Sequence, residues 1–114
     1  MLERDLANLE DAIFAIRRIE QYTTEISSAD SLLQDSKTYD AVLLNFLVIA
    51  AAFSRLSPEL KKRYPEVSWN GVRRFRNYIA HDYFGVDIEV VWQSLTVELP
   101  KLKTDLGKIL RQEN

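Results

Sequence analysis

Residues 41–53 read AVLLNFLVIAAAF, and Asn45 is the only polar residue among them. Within this stretch FLVIAAAF, residues 46–53, is the longest continuous apolar run of the chain. A membrane-spanning helix needs about 20 such residues, so the run predicts a buried helix and no membrane span. A helix apolar on nearly every side must be covered on nearly every side. It is therefore the central helix of a bundle or part of a subunit interface. In a chain this small, some of that surface is expected to meet another chain.

The predicted central helix covers about 37–56, with Ser36 as its cap. Before it, Leu2, Leu6, Leu9, Ile13, Ile16, Ile19, Tyr22 and Ile26 recur at helical spacing, which predicts a first helix to about residue 25. The polar SSADS interrupts that stripe, and SLLQD can form a short helical turn. After the central helix, Ser57 and Pro58 signal the cap and first residue of a short helix, which Pro65 breaks. Ser68 is the expected cap of a helix from about Trp69 to His81 or Asp82. Gly85 turns the chain and Asp87 caps the last helix, in which Ile88, Val91, Leu95, Leu99, Leu102, Leu106 and Ile109 keep helical spacing. Pro100 lies inside that pattern and is expected to kink or split it. Three glycines and three prolines in 114 residues leave few places for turns. The expected fold is all-α: an up-and-down bundle of four main helices with short connecting helices, in one domain over 1–114.

The composition is that of an ordinary folded domain, 46% hydrophobic and 28% charged. A net charge of -2 argues against a surface made basic throughout to grip long nucleic acid, but leaves room for a local basic patch. The chain has no cysteine and one histidine, so neither a thiolate site nor a multi-histidine metal site within one chain is expected. The N-terminal MLERDLANLEDAIFAI is charged and amphipathic, unlike a secretory signal, and a cytoplasmic location is expected.

The reactive groups concentrate in RNYIAHDY, residues 76–83, which hold the sole histidine, His81. The same helix carries Arg73, Arg74 and Arg76, whose charges need solvent, carboxylates or an anion between them. On a regular helix Arg76 and His81 are about 140° and about 7.5 Å apart, so they do not share a face. They can meet if the helix ends at His81, or across two copies related by a twofold axis. A histidine and an arginine in one cleft suit RNA cleavage without a metal. The imidazole moves protons at the ribose 2′-hydroxyl and the leaving 5′-oxygen, and the guanidinium stabilises the transition-state phosphate. Asn77 would add a hydrogen bond to a phosphate or to the histidine. A histidine at a helix C-terminus that only interacts with the dipole fits the spacing as well. Lys61, Lys62 and Arg63 form a second basic cluster, suited to a solvated face or to phosphate contacts.

The stretch VRRFRNYIAHDYFGVDIEVVWQSLTVELPKL resembles the HepT-like family of HEPN domains. The resemblance rests on Arg76, four residues, His81, one residue and Tyr83, followed by FGVD at 84–87 and Trp92. It extends back through RYP and the central helix to LANLEDAIFAIRRIEQYT. The family resemblance implies an all-α homodimer whose cleft holds the arginine and histidine of both chains. It implies a metal-independent endoribonuclease toxin of a toxin–antitoxin pair, with no cofactor, acting on transfer or messenger RNA. Its partner would be a minimal nucleotidyltransferase antitoxin that silences it by transferring AMP to the tyrosine.

On this chain the resemblance makes Arg76 and His81 catalytic, Asn77 supporting, Tyr83 the AMP acceptor, and Arg73 and Arg74 candidate RNA contacts. FGVD keeps a mainly structural reading. The chain departs from many relatives at Ala50 and Ala51, where Gly-Glu is frequent, so one carboxylate near the cleft is missing. The competing reading is a non-catalytic nucleotide- or substrate-binding subunit of a nucleotidyltransferase, its cleft binding nucleotide through the same arginine.

Overall fold

A computed structural model describes residues 1–113, and every regular element among them is helical. The elements are α1 (Glu3–Tyr22), α2 (Ala29–Gln34), α3 (Ser36–Ser54), α4 (Pro58–Arg63), α5 (Trp69–His81), a 3-10 turn (Tyr83–Gly85), α6 (Ile88–Gln93), a π turn (Ser94–Glu98) and α7 (Leu99–Glu113). Helix α3 packs along α1 and against α5, while α7 closes on α1 and α2 lies between α3 and α6.

The buried apolar side chains form one continuous cluster, with Val42, Leu43, Phe46, Ile49, Ala52 and Phe53 of α3 at its centre. By length and composition alone α3 could cross a membrane. Its packing against α1 and α5 instead makes it the core helix, as expected from its sequence. The expected cover is incomplete, because Leu44 and Val48 are 60% and 40% exposed. They lie four residues apart, on one face with Asp40.

Several boundaries differ from expectation. Asp35, not Ser36, caps α3, its carboxylate accepting from the Thr38 N–H at 3.2 Å. The carboxylate is the stronger acceptor, and Ser36 becomes the first helical residue. Ser28 and Ser31 form a reciprocal capping box that makes SLLQD part of a true helix, α2. Ser57 and Pro58 start α4 as predicted. Ser68 precedes α5 but makes no side-chain cap. Its Oγ lies instead over Gly71, where a Cβ would come within 2.1 Å of it.

Helix α1 ends at Tyr22, short of residue 25, and its buried face is rotated from the predicted stripe. The face that packs is Asp5, Asn8, Leu9, Ala12, Ala15, Ile16 and Ile19, whereas Leu2, Leu6 and Tyr22 are exposed. Ala12 and Ala15 are fully buried on this face, and Ile13 packs at its edge. Pro100 splits the last helix as expected. With no N–H at that position, the preceding turn widens to π geometry, in which Leu99 N–H reaches the Ser94 carbonyl.

Candidate functional site

Helix α5 ends at His81, the residue on which the site reading turns. Trp69, Val72 and Phe75 pack on the core and Ile79 is fully buried, so the helix lies with its arginines outward. Phe46 and Phe53 of α3 fix it through edge-on contacts to Phe75 and Trp69, each with ring centroids 4.9 Å apart. Because α5 is regular to its last residue, Arg76 and His81 keep the angular offset of about 140° expected of a helix. Ending the helix at His81 does not bring the two onto one face.

Asn77 spans part of that gap. Arg76 Nη1 donates to Asn77 Oδ1 at 3.0 Å, and Asn77 lies one turn before His81 on the same face as Arg73. The amide thus receives the arginine, and no hydrogen bond from it to His81 is described. Arg73, Arg74, Arg76 and His81 are exposed, and among the described residues none forms a salt bridge. Arg74 is turned about 100° from Arg73. It borders a separate groove of about 300 Å³ floored by Phe46, Ile49, Phe75, Leu99 and Leu102. The two arginines proposed as RNA contacts therefore point to different surfaces.

The turn after His81 is tied down at three points. Asp82 accepts from the Gly85 N–H at 3.1 Å. A Cβ on Gly85 would come within 2.1 Å of that carboxylate, so glycine is needed for space there. The Asp87 N–H donates to Tyr78 Oη at 2.8 Å, while the Asp87 carboxylate caps α6 at the Glu89 N–H as predicted. Third, Tyr83 Oη donates to Asp40 Oδ1 on α3 at 2.6 Å, and its ring meets Tyr39 edge-on. Burial, then the hydrogen bond to the Asp40 carboxylate, pushes the Tyr83 phenol up to about 12. It remains a neutral donor across the physiological range.

Asp40 was not singled out by sequence pattern, and no local signal marks it, because its partner is 43 residues away. Gly85 and Asp87 bear out the structural reading of FGVD, but Phe84 is 98% exposed and meets Tyr83 edge-on. The basic cluster near α4 divides: Arg63 pairs with Glu113, while Lys62 is exposed.

An all-helical bundle with a histidine and unneutralised arginines at one helix end is the class of molecule that the fold and site define. Its family follows from comparison. The sequence model of the family described as "Ribonuclease HepT-like" matches residues 13–109. "Probable ribonuclease HepT" of Thermococcus cleftensis is 37% identical over 89% of this chain and 91% of its own length. "Putative RNase MJ0127" of Methanocaldococcus jannaschii is 30% identical over 92% of this chain and 86% of its own. No solved structure gave a significant match. The chain belongs to the HepT-like ribonuclease family and is by that membership an enzyme of the ribonuclease class.

Proposed function

We propose that this protein is a metal-independent endoribonuclease that works as a homodimer, with Arg76 and His81 of both chains in one cleft. The observation that carries the reading is the end of α5 in a HepT-like chain. There the sole histidine and an arginine without a carboxylate partner among the described residues stand exposed on a well-anchored helix. The helical offset between them favours a second chain as the source of the complementary pair. The exposed Leu44 and Val48, continuous with the Tyr83 end of α3, offer an apolar surface for it.

In such a cleft one imidazole takes the proton of a ribose 2′-hydroxyl, whose oxygen attacks the adjacent phosphorus. The P–O5′ bond breaks as the second imidazole, protonated, delivers its proton to the leaving oxygen. Products are a 2′,3′-cyclic phosphate and a 5′-hydroxyl. Arg76 stabilises the added charge on the non-bridging oxygens, with Asn77 orienting its guanidinium.

We further propose a toxin role in the cytoplasm, with 1–114 as a single domain and transfer or messenger RNA as substrate. A nucleotidyltransferase antitoxin would transfer AMP from ATP to Tyr83. In that step the Tyr83 oxygen–phosphorus bond forms, the α–β phosphoanhydride breaks, pyrophosphate leaves and the phenolic proton is lost to a base. The added phosphate and nucleoside would obstruct the cleft two residues from His81. The deciding experiment is cleavage of RNA in EDTA by purified wild type, Arg76→Ala and His81→Ala. Both variants are expected to be inactive while folded, and a His81→Ala variant at wild-type rate would sink the reading.

A further inference from the structure

We propose that Asp40 is a positioning residue for His81, acting through the Tyr83 hydroxyl. The inference deepens the reading above and rests on His81 being the proton-transfer group.

His81 is the last residue of α5, and its side chain is exposed, with no hydrogen bond among the described residues to hold the ring. Its orientation therefore depends on the backbone that follows. That backbone departs sharply from the helix at Asp82, with φ -152° and ψ 85°. Within residues 82–87, the bonds of Asp82 and Asp87 stay local, to the turn itself or to the flanking α5 and α6. The Tyr83–Asp40 bond is, among the described residues, the hydrogen bond that ties this turn to α3 and so to the core. A phenol donating to a carboxylate at 2.6 Å is in the short, charge-assisted range. The carboxylate belongs to α3, the helix against which α5 itself packs. Both sides of His81 are thus fixed to the same support, α5 by its aromatic contacts and the turn by the Tyr83 bond.

The consequence for silencing is specific. An oxygen esterified by a phosphodiester has no proton to donate, and the new anion would face the Asp40 carboxylate. Modification of Tyr83 would break the tie and repel the turn from α3, displacing His81 as well as filling the cleft. Asp40 is what would convert a change at Tyr83 into a change at His81.

The test is steady-state cleavage of a fluorogenic single-stranded oligoribonucleotide by full-length Asp40→Ala, Asp40→Asn, Tyr83→Phe and the Asp40→Ala/Tyr83→Phe double variant. The imidazole resonance of His81 is followed in parallel, and as the only histidine it gives one signal. Displacing a reacting group by about 1 Å costs up to about 100-fold, so Asp40→Ala and Tyr83→Phe should each lower kcat by about 10- to 100-fold. KM should stay within about 2-fold, because substrate contacts are untouched. The double variant should be no worse than either single one, since both remove the same bond. Asp40→Asn keeps an acceptor oxygen and should recover most of the rate. Both single variants should move the His81 resonance to the same place. Should Asp40→Ala fold poorly, Tyr83→Phe reads the same quantity, because it removes one oxygen and keeps the ring against Tyr39. Wild-type kcat in Tyr83→Phe beside an inactive His81→Ala overturns the proposal, as do additive losses in the double variant. A His81→Ala enzyme at full rate is a different failure, that of the underlying assignment, and the resonance shift still reports whether the bond holds the turn.

Discussion

The start of α4 and the end of α5 carry similar charged groups and treat them in opposite ways. At α4, Asp5 is 1% exposed and accepts from both the Ser57 N–H at 2.8 Å and its hydroxyl at 2.6 Å, joining α1 to the α4 cap. Close by, Glu113 accepts from Tyr64 Oη at 2.6 Å and Arg63 Nη2 at 2.9 Å, with the N-terminal ammonium 3.8 Å away. Asp5, Arg63 and Glu113 each have a partner there, and the partners come from elements far apart in sequence. Along α5, from Arg73 to His81, three arginines and a histidine have no carboxylate partner among the described residues. The contrast teaches where the charges serve the fold and where they are left for something outside the chain.

The largest expected effects lie at α5. Arg76→Ala and His81→Ala should each lower RNA cleavage by about 10²- to 10⁴-fold, the usual weight of a general acid–base or an oxyanion stabiliser. Thermal melting should hold within about 0.5 kcal/mol, because neither side chain is buried. A large loss of stability in either variant would erase the contrast between the two regions.

Next comes the apolar face beside that site. Burial of a leucine side chain contributes about 1.5–3 kcal/mol. Leu44→Asp should therefore weaken self-association by about 10- to 100-fold, measured by sedimentation equilibrium, and should lower cleavage in parallel. Unchanged association would mean that this face of α3 is not the dimer surface.

How far these regions could be read from the sequence follows from how local their signals are. The apolar run at 41–53, the Ser57-Pro58 start and the split at Pro100 are local, and the structure bears them out. Spacing and family likeness single out Arg76, His81 and Tyr83, and α5 ends at His81, one of the two ends expected. The stripe of α1 holds at Leu9, Ile16 and Ile19 but not at Leu2, Leu6 and Tyr22, because packing turns the face toward Ala12 and Ala15. Asp5 shares that face with Leu9 and Ala12, which was a usable sign that it is buried. Asp40 and Glu113 gave no such sign, since their partners lie 43 and 49 residues away.

At α4 the expected effect is on stability instead. Asp5→Ala leaves the buried Ser57 N–H and hydroxyl without their acceptor, at a cost of about 1–3 kcal/mol. Denaturant unfolding should show this, while cleavage per folded molecule stays near wild type. A selective loss of activity would tie the α4 region to the site.

The smallest effect distinguishes the regions by pH. The hydrogen bonds from Tyr64 and then Arg63 hold the Glu113 carboxyl below the usual carboxylate range. A carboxylate with a lowered folded-state pKa contributes stability above its unfolded value, and that contribution is lost as pH falls through the folded value. Glu113→Gln should therefore melt lower than wild type at neutral pH, and the two should converge as the pH falls below the usual carboxylate range. Arg73→Gln, which lacks a carboxylate partner, should melt within about 0.5 kcal/mol of wild type at every pH tested. If Arg73→Gln instead showed an acid-dependent difference, the arginines of α5 would have an anionic partner in the folded protein. They would then be spent on the fold, as the charges around α4 are.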